Sequence, residues 1–230
     1  MAADLLTQRM DAGHWGLKAA RLSEVAELGI PVPPALCLRA EDLVRTTAEA
    51  VNAAKTWLRL YRPRRVVLRT SAHEDLVKSA QAGRTVSLLN CPPDASALLR
   101  TIDQDLLTAE NLGGGSGACV MVQEQVQAPL YGVAFYEDGH LVLEATRYAD
   151  GITAGNPPRT RVQVEKDRFH ITTQEPPIPG LLLTRRLHQA CRLLHKHFGF
   201  GVDMEWAWTG AAVVVIQVRP ITRSLLERAA

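Results

Sequence analysis

Apolar residues recur at Leu17, Ala20, Leu22, Val25, Ala26 and Leu28, a spacing that predicts a helix over 16–28. Gly29 is placed to end it, because glycine tolerates the left-handed conformation common at helix C-termini. Ile30-Pro31-Val32-Pro33-Pro34 then forces extended chain. A second helical pattern runs over 41–60. Residues 65–70 (Arg-Val-Val-Leu-Arg-Thr) read as a strand, followed by a polar loop to Gly83 and a second strand over 85–90. A helix over 94–107 leads into the glycine-rich run 111–117. Short strands are then predicted over 118–125, 132–136, 141–146, 161–165 and 169–173, a helix over 182–198, and a closing hairpin of 202–208 and 211–218. This helix-rich first half and strand-rich second half predict an α+β chain of two lobes, 1–120 and 121–223, with a tail over 224–230.

The 230 residues are 47% apolar, ample for a folded core. Lys plus Arg number 26 against 24 Asp plus Glu, a net charge of +2, which supports neither a nucleic-acid scaffold nor a membrane-surface binder. Arg59, Arg62, Arg64, Arg65 and Arg69 cluster, but most of such a cluster is ordinary solvated surface. No apolar run approaches the ~20 residues of a membrane span, and residues 1–15 lack the apolar core of a secretion signal. The four cysteines, Cys37, Cys91, Cys119 and Cys191, form no Cys-x-x-Cys pair, which suits a reducing compartment and predicts a cytoplasmic protein.

Several candidate sites fall away on chemistry. Gly113–Gly117 lacks the Lys-Ser/Thr that completes a phosphate loop and precedes a strand, so it reads as a connector. No Gly-x-Gly-x-x-Gly is present. His195 and His197 are two apart on a predicted helix and face different ways, so with His188 they make no metal site. More informative is Asp203-Met-Glu-Trp-Ala207, then Ile216-Gln-Val-Arg-Pro-Ile-Thr222. On a strand, Gln217 and Arg219 share a face. An amide oxygen suits Mg²⁺ and a guanidinium suits phosphate. On residue type alone the same pair also fits plain sheet surface. Whether Glu205 shares that face depends on the hairpin loop. A two-residue turn at Thr209-Gly210 would oppose Glu205 to Val214 and send Gln217 to the other side. A three-residue loop, with Gly210 in the left-handed position, shifts the register by one and restores the shared face.

This hairpin resembles the end of the nucleotide-binding domain of the phosphoenolpyruvate synthase and pyruvate phosphate dikinase family, which includes rifampicin phosphotransferase. The family's segment runs Asp-Ile-Glu-Trp-Ala, a turn, then Leu-Gln-Ala-Arg-Pro-Ile-Thr. Three more stretches are similar, in order. They are His14-Trp-Gly-Leu-Lys-Ala-Ala20 with Gly29-Ile-Pro-Val-Pro-Pro34; Val67-Leu-Arg-Thr-Ser-Ala72 with Glu74-Asp75 and Ala82-Gly83; and Val120-Met-Val-Gln-Glu-Gln-Val126 with Gly132-Val-Ala-Phe135. The resemblance spans residues 13–222. It implies a two-lobed ATP-grasp fold with the nucleotide between the lobes, and ATP and Mg²⁺ as cofactors. Lys18 and Arg69 would hold the phosphates with backbone near Gly83 and with Ser87; Gln123 to Val126 would form the adenine hinge. Glu205 and Gln217 would hold Mg²⁺, and Arg219 would steady the transferring phosphoryl group.

The sequence departs from the family in places. Gln81-Ala-Gly-Arg84 replaces Phe-Ala-Gly-Gln, and a Gly-Glu-rich stretch survives only as Asp150-Gly-Ile-Thr-Ala-Gly155. Eight residues follow Thr222, without the swivelling phosphohistidine domain the family's large enzymes carry. The resemblance therefore implies an ATP-dependent phosphotransferase acting with a separate acceptor, a partner protein or a small molecule. Alternatives are an ATP-grasp ligase forming an acyl phosphate and a non-catalytic nucleotide-binding module.

Overall fold

The computed structural model describes residues 2–45, 47–72, 86–107, 117–148, 160–165, 168–174 and 180–221. The chain divides into two compact units. One comprises Met1–Leu28 with Pro33–Gln125, the other Gly29–Val32 with Val126–Ala230.

The first unit is built on an antiparallel sheet in the order β1-β2-β5-β3-β4, formed by β1 (Ala2–Asp4), β2 (Ala35–Arg39), β3 (Val66–Ser71), β4 (Ser87–Cys91) and β5 (Cys119–Glu124). Strand alternation sorts its side chains. Leu36, Leu38, Val66, Leu68, Val120 and Val122 face α3 (Thr47–Tyr61), α4 (Ala95–Thr101) and the π-helical turn Ile102–Leu106, where Trp57, Leu98, Leu99, Ile102 and Leu106 close a core. Residues of the opposite parity, among them Val67, Arg69, Ser71, Cys119, Met121 and Gln123, lie on the face carrying α1 (Ala12–Glu27). A short α2 (Ala40–Arg45) follows β2, and Asp94 caps α4 by accepting from Ala97 N–H at 2.8 Å.

Among the described residues the first half is richer in helix than in strand, as expected, but it carries more strands than the sequence pattern shows. The strands β1 and β2 were not expected from the sequence. β2, Ala-Leu-Cys-Leu-Arg, lies between two strands with nearly every residue buried, so it shows no alternation. The predicted helix over 41–60 is divided between α2 and α3. The helix predicted over 94–107 ends at Thr101, and the π-helical turn completes it. Residues 111–116 of the glycine run lie outside the described residues.

The second unit is a six-stranded antiparallel sheet in the order β11-β10-β6-β7-β8-β9, from β6 (Leu130–Glu137), β7 (His140–Thr146), β8 (Thr160–Glu165), β9 (Arg168–Gln174), β10 (Val202–Trp208) and β11 (Val213–Pro220). Leu183, Leu187, Cys191 and Leu194 form the apolar stripe of α5 (Leu181–Phe198). That helix covers the sheet face bearing Tyr136, whose ring lies 5.6 Å from that of His188 and 5.5 Å from that of His195. Trp206 shares this face and sits over Gly132, where a Cβ would collide with the Trp206 ring and the Glu144 carbonyl. The other face carries Asp203, Glu205, Gln217 and Arg219 beside the small cluster Val133, Phe135 and Val142.

Candidate functional site

In the first unit the site is organised by a turn inside α1. The chain leaves helical geometry at Gly16, with φ 73° and ψ 166°, and resumes at Leu17. This backbone region is essentially closed to other residues, and a Cβ would also overlap the backbone at Ser71 and Ala72. The close approach docks the resumed helix on the end of β3. Leu17 N–H donates to the Ala72 carbonyl at 3.2 Å, and Ala19 N–H donates to Ser71 Oγ at 3.1 Å, so two amides a helix start leaves unbonded find partners. Between them Lys18 is only 4% exposed, and its Nζ donates to the Thr70 carbonyl at 3.2 Å.

Arg69 precedes Thr70 and stands opposite Met121 and Ser87. Its Nε donates to Ser87 Oγ at 3.3 Å and its Nη1 to Gln123 Oε1 at 3.5 Å. Gln123 is 1% exposed, and its Nε2 has no hydrogen-bond partner among the described residues. A buried amide donor left in that state costs free energy unless something accepts from it. Lys18, Arg69, Ser87 and Gln123 thus gather around β3. Further along, Gln125 and Asn90 bond reciprocally, Asn90 N–H to Gln125 Oε1 at 2.7 Å and Gln125 Nε2 to Asn90 Oδ1 at 3.0 Å. Burial pushes the Glu124 carboxyl up. Val126 begins the second unit, its carbonyl accepting from Tyr131 Oη at 2.9 Å. Gly83 lies outside the described residues.

In the second unit the closing hairpin departs from both turns considered above. Trp208 pairs with Val213, so the loop is 209–212, closed by Thr209 N–H donating to the Ala212 carbonyl at 3.1 Å. A regular ladder from there would oppose Glu205 to Ile216 and put Gln217 on the far face. A β-bulge between Glu205 and Trp206 makes Ile216 the extra residue, and Glu205 stands directly opposite Gln217. Directly opposed residues have their Cα atoms about 4.5–5.5 Å apart and share a face. Both are buried.

The next pair on this face is Asp203 with Arg219, whose Nε donates to Asp203 Oδ2 at 2.7 Å. The carboxylate side chain is 7% exposed and the arginine 42%, so a buried anion anchors a half-open cation. Across the sheet, Glu205 is opposite Val133, which is opposite Glu144. Among the described residues no three His, Cys, Asp or Glu side chains converge as a metal cage. A carboxylate beside an amide oxygen nonetheless fits Mg²⁺, which takes few protein ligands and keeps water or phosphate in its other positions.

Sequence reasoning missed the residues that set these groups: Ser71 and the Thr70 carbonyl beneath Lys18, and Asp203 behind Arg219. For Asp203 a signal exists, since 203 and 205 share strand parity, as do 217 and 219. For Ser71 none does, because its role depends on a contact across more than fifty positions.

Among solved structures the chain is similar to D-alanine-D-alanine ligase from Coxiella burnetii, with TM-score 0.51 and 10% identity over 89% of this chain and 47% of that one. The macrocyclase MdnC from Microcystis aeruginosa MRC, solved with precursor peptide MdnA, gives TM-score 0.49 and 12% identity over 91% and 53%. D-alanine–D-alanine ligase from Bacillus anthracis, complexed with ATP, gives 0.48 and 11% over 93% and 57%. The chain spans about half the length of these structures. No protein-family profile and no curated protein sequence matches it. The likeness to the Coxiella burnetii enzyme is one of fold: this chain has the α+β architecture of the ATP-grasp ligases.

Proposed function

We propose that the chain binds Mg-ATP and activates an acceptor by phosphoryl transfer. The observation that carries this reading is the bulged register setting Glu205 opposite Gln217, one step from the Arg219–Asp203 ion pair. Phosphoryl transfer needs positioning and charge neutralisation more than covalent chemistry. Glu205 and Gln217 would hold Mg²⁺, which when bound neutralises phosphate oxygens. Lys18 and Arg69 would hold the phosphates, with Ser87 and backbone near Gly83. The buried Gln123 amide would donate to the nucleotide, and the chain through Val126 would line the base. Arg219, fixed at Nε by Asp203, would meet the charge that develops during transfer.

Of two acceptor chemistries, the ligase reading has the better support, because a solved enzyme similar in fold, the Coxiella burnetii one, is a ligase. A carboxylate would take the γ-phosphoryl group to give an acyl phosphate, which an amine would capture. The second reading, transfer to a partner's histidine or a small molecule as in the phosphoenolpyruvate synthase and pyruvate phosphate dikinase family, is favoured by the Asp203–Ala207 and Ile216–Thr222 segments. Chromatography of the nucleotide products separates them. ADP and phosphate appearing only with a carboxylate and an amine supports the ligase, and AMP with a partner protein supports the dikinase type. Failure to bind Mg-ATP in calorimetry would refute both. Turnover by the chain alone should be slow, since a positioned acceptor supplies about 7–11 kcal/mol of barrier lowering that bulk water does not.

A further inference from the structure

Just ahead of the Gly16 turn, His14 Nδ1 lies 2.7 Å from Asp11 Oδ2, and the two side chains are 68% and 66% exposed. In the neutral ring a carboxylate on Nδ1 settles the tautomer: Nδ1 carries the proton and donates it, which leaves the lone pair on Nε2. The His14 ring in turn holds the Asp11 carboxyl below its usual range, mainly through this hydrogen bond, so the partner stays anionic at neutral pH. The segment is held in place. His14 N–H and Trp15 N–H donate to the Asp11 carbonyl at 3.3 and 3.1 Å, and the Trp15 carbonyl accepts from Cys119 Sγ at 3.0 Å. His195 differs: its Nδ1 lies 2.7 Å from a neutral backbone carbonyl, that of Phe200, and its ring packs edge-on against Tyr136.

Position adds to chemistry. Lys18 follows His14 by four residues, a length of chain spanning at most about 14 Å. The oriented, exposed imidazole and the cation proposed to hold ATP phosphates are thus tethered within about 14 Å of each other along the chain, on either side of the Gly16 turn. A nucleophile oriented through a second group is the arrangement covalent catalysis uses.

We propose that His14 is a phosphoryl acceptor. Its Nε2 attacks the γ-phosphorus of ATP and forms a P–N bond as the bond from that phosphorus to the β–γ bridging oxygen breaks. ADP leaves with the electron pair. Nδ1 retains its proton against Asp11, whose carboxylate balances the positive charge on the phosphorylated ring. The phosphoryl group is then available to the final acceptor. The inference rests on the Mg-ATP reading for its donor.

The full chain is incubated with Mg²⁺ and γ-³²P-labelled ATP and, separately, with potassium phosphoramidate, which phosphorylates histidine without nucleotide. Label stable in alkali, lost in acid and mapped by mass spectrometry to His14 is expected from both donors. His14→Gln should abolish the label taken from ATP and leave ADP affinity unchanged. Asp11→Asn should slow labelling about tenfold or more, because the tautomer is no longer held. Label from ATP that persists in His14→Gln, or no label from either donor at His14, overturns the proposal, as does ATP binding without transfer to His14. Labelling by phosphoramidate in a chain that binds no ATP would keep the reactive histidine and remove the Mg-ATP reading instead.

Discussion

Gly16→Ala tests whether the start of α1 positions Lys18. Two costs combine. The alanine would occupy φ 73°, ψ 166°, where a Cβ-bearing residue costs about 1–3 kcal/mol. Its Cβ would also meet backbone atoms of Ser71 and Ala72, which cannot rotate aside, and such overpacking costs about 1–3 kcal/mol. The sum, about 2–6 kcal/mol, corresponds to a loss of roughly 8–24 °C in melting temperature for a unit of this size. Gly29→Ala is the control: Gly29 also has positive φ, 75°, but nothing lies within 4 Å of a Cβ there. It should cost only about 1–2 kcal/mol of backbone strain. Denaturant unfolding followed by circular dichroism reads both, and calorimetry on the folded fraction reads nucleotide affinity. Because the same contact places Leu17 N–H, Lys18 Nζ and Ala19 N–H on β3, Gly16→Ala should weaken nucleotide binding even where it remains folded. Equal destabilisation by the two variants, or Gly16→Ala with unchanged stability and affinity, would refute the reasoning.

Arg219→Ala should lower turnover about 100-fold or more with nucleotide affinity within about tenfold, whereas Lys18→Ala and Arg69→Ala should weaken affinity itself; equal affinity losses in calorimetry would remove the distinction. Burial, then the hydrogen bond and charge of Asp4, push the Tyr61 phenol from 10.0 up to about 12. The folded chain keeps this proton in that window while the unfolded chain loses it, so stability falls as pH rises from about 10 to about 12 and is unaffected below; Tyr61→Phe should flatten that part of the unfolding profile. Cys37, Cys119 and Cys191 are buried and Cys91 is partly so. Burial pushes the Cys191 thiol up, and neighbouring Cys119 together with burial does the same to Cys37. A disulfide reagent should therefore modify Cys91 first and the others only on unfolding; several fast thiols would contradict the packing.

Local periodicity made most elements legible. The α5 stripe shows its partner directly, since that helix has one face on a core. β2 escaped because burial on both faces erases alternation, and β1, Ala2–Asp4, is too short to show a period. The hairpin was legible as two strands but not in register. Nothing local distinguishes Ile216 from its neighbours in Val213–Val218, and only cross-strand pairing reveals it as the extra residue. Likewise Lys18 and Arg69 are visible by chemical type, while the pairing that gathers Arg69, Ser87 and Gln123 is long-range and invisible to composition.

The segment Gly29–Val32 belongs to the second unit although the chain on either side of it belongs to the first. Its Pro31 carbonyl accepts from Val215 N–H at 2.8 Å, on β11, the outermost strand of its sheet. A fragment beginning at Val126 would therefore not be the second unit. It would lack those four residues and bare part of a strand edge to other chains, a setting for self-association. Dissection of this protein into independently studied halves calls for a circular permutation or a grafted Gly-Ile-Pro-Val segment, and a simple cut at Gln125 should yield an aggregating product.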